Sequence, residues 1–599
     1  MQNTIADFYN DKILTLESEI KKIRRYITYL YLLRLFTFIS FASFLIIFFL
    51  HRHDYLYLIL SLTSLVLFLC AVRLDLKYDH KEKFLSNKLQ INKNEVMFLE
   101  HQYHERETGD EYNYLNPHLA ADFDVFGKGS LFQYLNRTST KIGKAIFAKR
   151  LCQSQMDENL IRERQLAIEE LAGKNDFIQD FQTHGMFFTE NDNESANLHS
   201  WLNQPAEKNN FLRLLCIVVP LFNAVWIALI VFGVFTLNSI ALIVFLNIFI
   251  ISLNFKKIQK AHSLLGKTAK TFEKYTALIK MVEETEFKSA YLSSVRQQLF
   301  HNGNKAGDSL SSLFKLLNKF DLRYNIIVSF VLNTLLLFDI QVYYRLIKWK
   351  EKNKDLVFLW LDALSEVDVL IGFSTFAFNN QKSVCYPKIS DNEFEIRAMA
   401  MGHPLLHHSV RVCNDFHISG TPAVMIITGA NMAGKSTFLR TLSVNLLLAM
   451  NGAPVCAKDF LFKPCEILSS IKIQDSLTNN ESYFYAELLR LKDIITHAKA
   501  NPGTLIILDE ILRGTNTKDK HLGSLGLLEK LISINSVVII ATHDLAIAEL
   551  EKDYPEVVAN HCFEVELMND QLIFDYKLKK GISQKLNASF LMRKMEIIN

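Results

Sequence analysis

No Lys, Arg, Asp or Glu occurs between residues 214 and 255, and residues 35–50 and 55–72 are equally free of formal charge. A helix crosses about 30 Å of hydrocarbon with on the order of twenty residues. The longest tract therefore allows two passes around a turn at Thr236-Leu237-Asn238, and the two shorter ones, each slightly under a full span, allow one pass apiece. Tyr26, Tyr29, Tyr31, Tyr55 and Tyr57 flank the shorter tracts with rings suited to a membrane interface. The reading is two helical hairpins and four spans. Hiding roughly eighty apolar residues from water instead requires a much larger fold around them. A further apolar stretch, 325–338, is about fourteen residues long and reads as a buried core helix.

Charge sets the expected orientation. Lys21, Lys22, Arg24, Arg25 and Arg34 precede the first span, Arg73, Lys77, Lys81 and Lys83 follow the second, and Lys256, Lys257 and Lys260 follow the fourth. Cationic flanks stay cytoplasmic, so both the amino terminus and everything after the fourth span are expected there. The localisation read from this is the inner (cytoplasmic) membrane, multi-pass. Lys267, Lys270, Lys274 and Lys280 extend the last cluster and suit DNA phosphates, anionic lipid or a solvated helix face. The first thirty or so residues are charged and helix-like, so no cleavable secretory signal is read and the first span serves as anchor. A formal net charge of +3 carries no strong bias toward nucleic acid, and eight scattered cysteines without C-x-x-C pairs indicate neither a zinc site nor a disulfide framework.

The carboxy-terminal third has a different character. Gly429-Ala430-Asn431-Met432-Ala433-Gly434-Lys435-Ser436-Thr437 follows an apolar run at 424–427 that reads as a buried strand, and a helix is expected from Ser436 onward. A triphosphate demands close backbone N–H groups, a cation and a hydroxyl that ligates Mg²⁺. Here the two glycines let the backbone approach, Lys435 is the cation and Ser436 the hydroxyl. About seventy residues on, Leu505-Ile506-Ile507-Leu508-Asp509-Glu510 reads as a second buried strand ending in two carboxylates. Asp509 is expected to hold the Mg²⁺ shell and Glu510 to polarise the attacking water. A third run, 536–541, ends at Thr542-His543-Asp544, placing His543 at the carboxyl end of a parallel strand, where it can sense the γ-phosphate. ATP and Mg²⁺ are the expected ligands and ATP hydrolysis the expected reaction.

The wording of these motifs is narrower than that. Thr428 to Thr437 resembles the phosphate loop of the MutS family of DNA mismatch-repair ATPases. Asp509-Glu510-Ile511-Leu512-Arg513-Gly514-Thr515-Asn516-Thr517 resembles the family's acidic motif, Ala541-Thr542-His543 its histidine switch and Ser482-Tyr483-Phe484-Tyr485-Ala486-Glu487 its signature helix. Phe126-Gly127-Lys128-Gly129-Ser130-Leu131, Thr140-Lys141-Ile142-Gly143 and His403-Pro404-Leu405-Leu406 are similar to its core and the junction with the ATPase. The likeness covers roughly residues 120–200 and 355–585.

The resemblance implies an α/β P-loop NTPase (ABC-type ATPase) domain at the carboxy terminus, preceded by a mostly helical core and lever region that here carries about four transmembrane helices. It implies a homodimer through the ATPase domain, with Ser482 of one protomer completing the phosphate site of the other, Asn431 as a second phosphate contact, and DNA, non-specific or structured, as ligand. The expected division is 1–75, an amino-terminal helix and first hairpin; 76–210, core; 211–256, second hairpin; 257–395, lever and core; 396–599, ATPase. The chain departs from the family at Ala433, Leu512 and Lys520, where glycines are usual, and at Glu481, a carboxylate that either faces solvent or repels the γ-phosphate. Neither a Phe-x-Glu wedge nor room for a mismatch-reading domain precedes residue 35, and a membrane hairpin stands where a DNA clamp is expected. Mismatch reading is therefore not expected. Two other functions fit parts of the chain: a nucleotide-gated membrane scaffold that does not bind DNA, and an ABC-type transporter ATPase. The second predicts a glycine-rich signature before Asp509, where the chain reads Leu489-Arg490-Leu491-Lys492-Asp493-Ile494.

Overall fold

The computed structural model describes residues 4–50, 54–190, 194–205, 210–430, 432–472, 483–513, 515–568 and 571–583. Helices α1 (Ile5–Leu50) and α2 (Tyr55–Leu99) lie against each other along their length. Toward the start of α1 and the end of α2 the seam is an ordinary hydrophobic one, formed by Leu16, Ile20, Ile23 and Leu85. In the uncharged part the pattern inverts. The buried seam residues there are Thr37, Ser61, Ser64 and Ala71, while Phe36, Phe49 and Leu67 face outward, Phe36 at 70% exposure. Small residues at a seam with large apolar ones outside is how helices pair in lipid, since lipid-facing surface has no reason to hide. Arg34 pairs with Asp75 and Arg24 with Glu82 where the apolar part gives way to the charged part.

The second hairpin is α3 (Asn210–Val231) and α4 (Ile240–Leu265), joined by a short 3-10 turn at Leu237–Ser239, where the sequence placed it. These four helices are long and apolar enough to cross a membrane, and their most apolar windows are almost wholly exposed. The stretch at 325–338 is not the buried core helix its composition suggested. It forms α5 (Ile326–Leu336), with Ile326 83% and Ile327 77% exposed, then bends by 83° at Leu337 into α6 (Phe338–Asn379). Composition alone does not separate a helix that faces a core from one that faces outward.

The rest of the amino-terminal two thirds is a helical body with one continuous core. α6 threads it: Asp368, fully buried, accepts hydrogen bonds from the Ser139 and Thr140 amides (2.7 and 2.9 Å) and from Thr140 Oγ1. Burial pushes its carboxyl up to about 6, against those donors. The lower end of α2 is tied in by Glu95, which takes a bidentate bond from Arg137 and a third from Asn379 Nδ2.

The carboxy-terminal region is α/β. Four strands, β1 (Lys388–Ile389), β2 (Glu395–Met401), β3 (Asn414–Ser419) and, after β4, β5 (Asp459–Phe462), form one sheet in the order β1-β5-β2-β3. The second sheet comprises β4 (Ala423–Gly429), β6 (Ile467–Ser470), β7 (Leu505–Asp509), β8 (Val537–Thr542), β9 (Val558–Met568) and β10 (Gln571–Lys580), in the order β10-β9-β4-β8-β7-β6. All its pairings are parallel except β9 with β10. Both faces are covered, which is why β4, β7 and β8 are apolar without alternation. Met425, Ile427, Ile507 and Ile539 face helix α7 (Lys435–Met450) and the helical body. Val424, Ile426, Ile506 and Ile540 face α8 (Tyr483–Ala500) and α9 (Thr517–Ser533).

Candidate functional site

β4, β7 and β8 run parallel and in register, so the segments that follow them emerge at one edge of the sheet. That edge carries the loop after β4, the two acids after β7 and His543 after β8. Gly434, the residue that opens α7, has φ +105, and a Cβ there would stand 3.0 Å from the Tyr576 ring of β10. At Gly429 a Cβ would meet the Phe563 carbonyl at 2.7 Å. Any side chain at either position collides or strains the backbone, so the glycines are dictated by space as well as by φ.

Lys435 is buried, its ammonium donating to the carbonyls of Gly429 (2.7 Å) and Ala430 (2.9 Å). Burial lowers its pKa, and Glu510 and Asp509 oppose that shift. Ser436 Oγ donates directly to Asp509 Oδ2. Asp509 is raised by burial, with that hydrogen bond acting the other way. Glu510 adopts φ +47, its amide bonding the Ala541 carbonyl of β8 at 2.8 Å, so the backbone turns the side chain away from the strand. Its carboxylate lies 3.6 Å from His543 Nδ1 and 3.5 Å from the Arg513 guanidinium. Lys435, Ser436, Thr437, Glu510, Ala430, Met432 and Gly434 line a cavity of about 400 Å³, together with His403, Leu406, Val410 and Tyr576. Burial, together with Arg411 and Arg440, lowers the His403 pKa to about 4, so the ring is neutral at physiological pH.

The predicted residues Gly429, Ala430, Met432, Ala433, Gly434, Lys435, Ser436, Thr437, Asp509, Glu510 and His543 thus meet at one sheet edge. Asn431, Glu481 and Ser482 lie outside the described residues.

Two family models match the chain, MutS domain III over residues 118–374 and MutS domain V over residues 425–594. The chain is similar to the DNA mismatch repair protein MutS of Thermotoga sp. (strain RQ2), 29% identical over 240 residues, 39% of this chain and 29% of that protein. The MutS of Geobacillus sp. (strain WCH70) is 29% identical over 252 residues, again 39% and 29% of the two chains. The MutS protein homolog 4 of Mus musculus is 30% identical over 237 residues, 38% of this chain and 24% of that one. The chain belongs to the MutS family. The match spans under a third of the length of these relatives, and the family models support a MutS-family protein that lacks the mismatch-recognition domain.

The departures from the MutS pattern now have a geometry. Leu512 sits at φ +57, a conformation natural to glycine, with its side chain buried against Gly523. Lys520 brings its ammonium to 3.4 Å from His543 Nε2, so the histidine stands between a carboxylate and a cation. Ala433 is buried and needs no positive φ.

Asp122, Asp124 and Arg440 escaped the sequence reading, and for Glu487 and Arg513, which lie within the signature and acidic motifs, only their partners did. Glu487, on α8, accepts from the Leu512 amide at 2.6 Å and ties that helix to the acidic loop, and Arg513 flanks Glu510. Asp122, a buried residue of domain III, accepts from Ser469 Oγ and from the Lys472 amide, each at 2.7 Å. Its carbonyl accepts from Arg440 Nε on α7 at 3.0 Å. Neighbouring Asp124 pairs with Lys472 (2.6 Å) and Arg440 (3.4 Å). Asp122 therefore joins the helical body both to the helix behind the phosphate loop and to the strand end that leads toward residues 473–482. No local pattern announces partners more than three hundred residues apart. Asp122→Ala leaves the buried Ser469 hydroxyl and the partly buried Lys472 amide unpaired and is expected to destabilise the protein by about 2–3 kcal/mol. Asp124→Ala, half exposed, is expected to cost under about 1 kcal/mol. Denaturant titration of the two variants checks the contrast.

Proposed function

We propose that this chain is a membrane-anchored MutS-type ATPase with a P-loop NTPase fold, acting as a homodimer with composite ATP sites and DNA, non-specific or structured, as its ligand. The observation that carries the chemistry is the direct contact of Ser436 Oγ with Asp509 beside Glu510, at the mouth of a cavity that also holds the Lys435 ammonium. Paired hydroxyl and carboxylate oxygens are the hard donors that Mg²⁺ takes, so Ser436 and Asp509 fit as its protein ligands. When bound, Mg²⁺ neutralises phosphate charge as a Lewis acid. Lys435 exchanges its two carbonyl partners for the β and γ phosphates. Glu510 accepts the proton of the attacking water, and His543, within reach of Glu510, orients that water and senses the γ-phosphate. The apolar rim of His403, Leu406, Val410 and Tyr576 suits a base.

Ser482 directly precedes α8, whose helix N-terminus offers unpaired N–H groups to a γ-phosphate of the facing protomer. That arrangement makes ATP the glue of a dimer. The inverted burial of α1 and α2 and the exposed apolar windows of α3 and α4 support four spans in the inner, or cytoplasmic, membrane. The lysines and arginines at their ends support a cytoplasmic nucleotide domain and amino terminus.

The ligand is tested by ATPase rate with and without duplex DNA, in detergent and in bilayers, at several ionic strengths. Stimulation that fades steeply with salt is expected, because phosphate contacts release counterions. A rate indifferent to DNA in both settings removes DNA from the proposal and leaves a nucleotide-gated membrane scaffold.

A further inference from the structure

α5 belongs to neither hairpin, and the residues around it carry more than its composition does. Ile326, Ile327, Phe330, Val331, Leu335 and Leu336 are exposed on a helix whose other side packs against α3 and α4. The helix stops at Leu337, which takes φ +50, and the chain turns by 83° into α6. A helix end strands its last carbonyls. At a water-facing end the solvent satisfies them, whereas in hydrocarbon an unpaired one has no partner at all. Here Asn223 Nδ2, from α3, donates to the Leu335 carbonyl at 2.9 Å, and Asn247 Nδ2, from α4, donates to the Thr334 carbonyl. Asn333 Oδ1 accepts from the Asp339 amide at 2.9 Å, across the break. Asn223 and Asn247 are 1% and 0% exposed, each within an otherwise apolar stretch of helix. Two amides buried in greasy helices and spent on the free carbonyls of a third are the provision a broken helix needs away from water.

The ends of the element are arranged to match. Arg323 Nε binds Asp339 Oδ2 at 2.9 Å, so the carboxylate beside the break is neutralised from the 3-10 turn Leu322–Tyr324 that leads into α5. Before α5, Tyr324 lies under the Lys267 ammonium at 5.5 Å, an aromatic and cationic collar of the kind found at a lipid headgroup boundary.

We propose that α5 is a membrane-inserted half-helix, seated beside the second hairpin, with its capped end inside the bilayer and its bare face against lipid acyl chains. The proposal rests on the membrane reading of α3 and α4 and adds an element to it. α6 starts at the half-helix and ends at Asn379, which bonds Glu95, so one 42-residue helix connects the lipid-embedded break with the core that carries the nucleotide domain.

The test uses the full-length protein in phosphatidylcholine–phosphatidylglycerol vesicles whose acyl chains carry a photoactivatable diazirine, with labelled peptides mapped by mass spectrometry. Adducts are expected on residues 326–336 as well as on 214–231 and 240–255. Labelled hairpin peptides with an unlabelled 326–336 segment overturn the half-helix while leaving the four-span reading in place; that pattern fits a face covered by a protein partner. Absence of label from all three segments defeats the membrane reading, and this proposal with it. In the Asn247→Leu variant, labelling of 326–336 is expected to fall several-fold while that of 214–231 holds. Unchanged labelling of 326–336 in that variant overturns the capping role of the amide.

Discussion

Glu510→Gln is expected to lower ATP turnover by about 10²–10⁴-fold while leaving ATP bound. The substitution keeps the shape of the side chain, and Gln accepts φ +47 no worse than Glu, so the loop geometry is retained. What is lost is the proton acceptor. Asp509 cannot replace it, because its carboxylate is already committed to Ser436 Oγ. His543 stands 3.6 Å from the Glu510 carboxylate and can hold a water, but its other ring nitrogen faces the Lys520 ammonium. The variant is therefore expected to trap the ATP-bound, paired state, which single-turnover kinetics and sedimentation with ATP read separately. Wild-type turnover in this variant removes Glu510 as the base.

Lys435→Ala is expected to abolish measurable ATP binding. Charge-assisted hydrogen bonds contribute about 1.5–3 kcal/mol each, so losing contacts to two phosphates weakens the Kd by two orders of magnitude or more. The fold is expected to survive, because the alanine removes a buried ammonium whose pKa burial already depresses, and leaves the loop glycines untouched. Titration with a fluorescent nucleotide checks the affinity and a thermal melt checks the fold. The same variant tests the composite site. Mixed with Ser482→Ala protein, it is expected to recover at most one working site per dimer, since the Lys435→Ala protomer lends its Ser482 to the intact phosphate loop of the other while the second site carries both defects. Turnover strictly proportional to the fraction of each protein, with no effect of mixing, argues against shared sites.

The site was legible because its chemistry is local. A phosphate loop, an acidic pair and a histidine at a strand end each occupy a few consecutive residues, and apolar runs before them name the strands that carry them. Even the family was legible from those segments, as the matches to domains III and V bear out. What was not legible was the company these residues keep. Arg440 and Asp122 look like ordinary surface charges in the sequence, Glu487 and Arg513 stand in motifs without their partners, and only folding brings Asp122 to the strand end at Ser469. Lys520 was visible as an unusual residue, but its approach to His543 depends on where α9 begins.

The apolar segments divide in the same way. The absence of charge from 35–50, 55–72 and 214–255, with cations at their ends, determined from sequence alone that these residues form two helical hairpins of spanning length, because desolvating a charge costs far more than any local conformation can return. The sequence also determined a parallel sheet with the loop after β4, the acidic pair and His543 at one edge, since each of those motifs is a run of contiguous residues. Only the tertiary structure decided that 326–336 lies outside the core, that Thr37, Ser61 and Ser64 fill a seam while phenylalanines face out, and that two asparagines from different helices meet the carbonyls of a third. Hydrophobicity records how much a side chain avoids water, not what covers it, and that second quantity exists only once distant segments have packed.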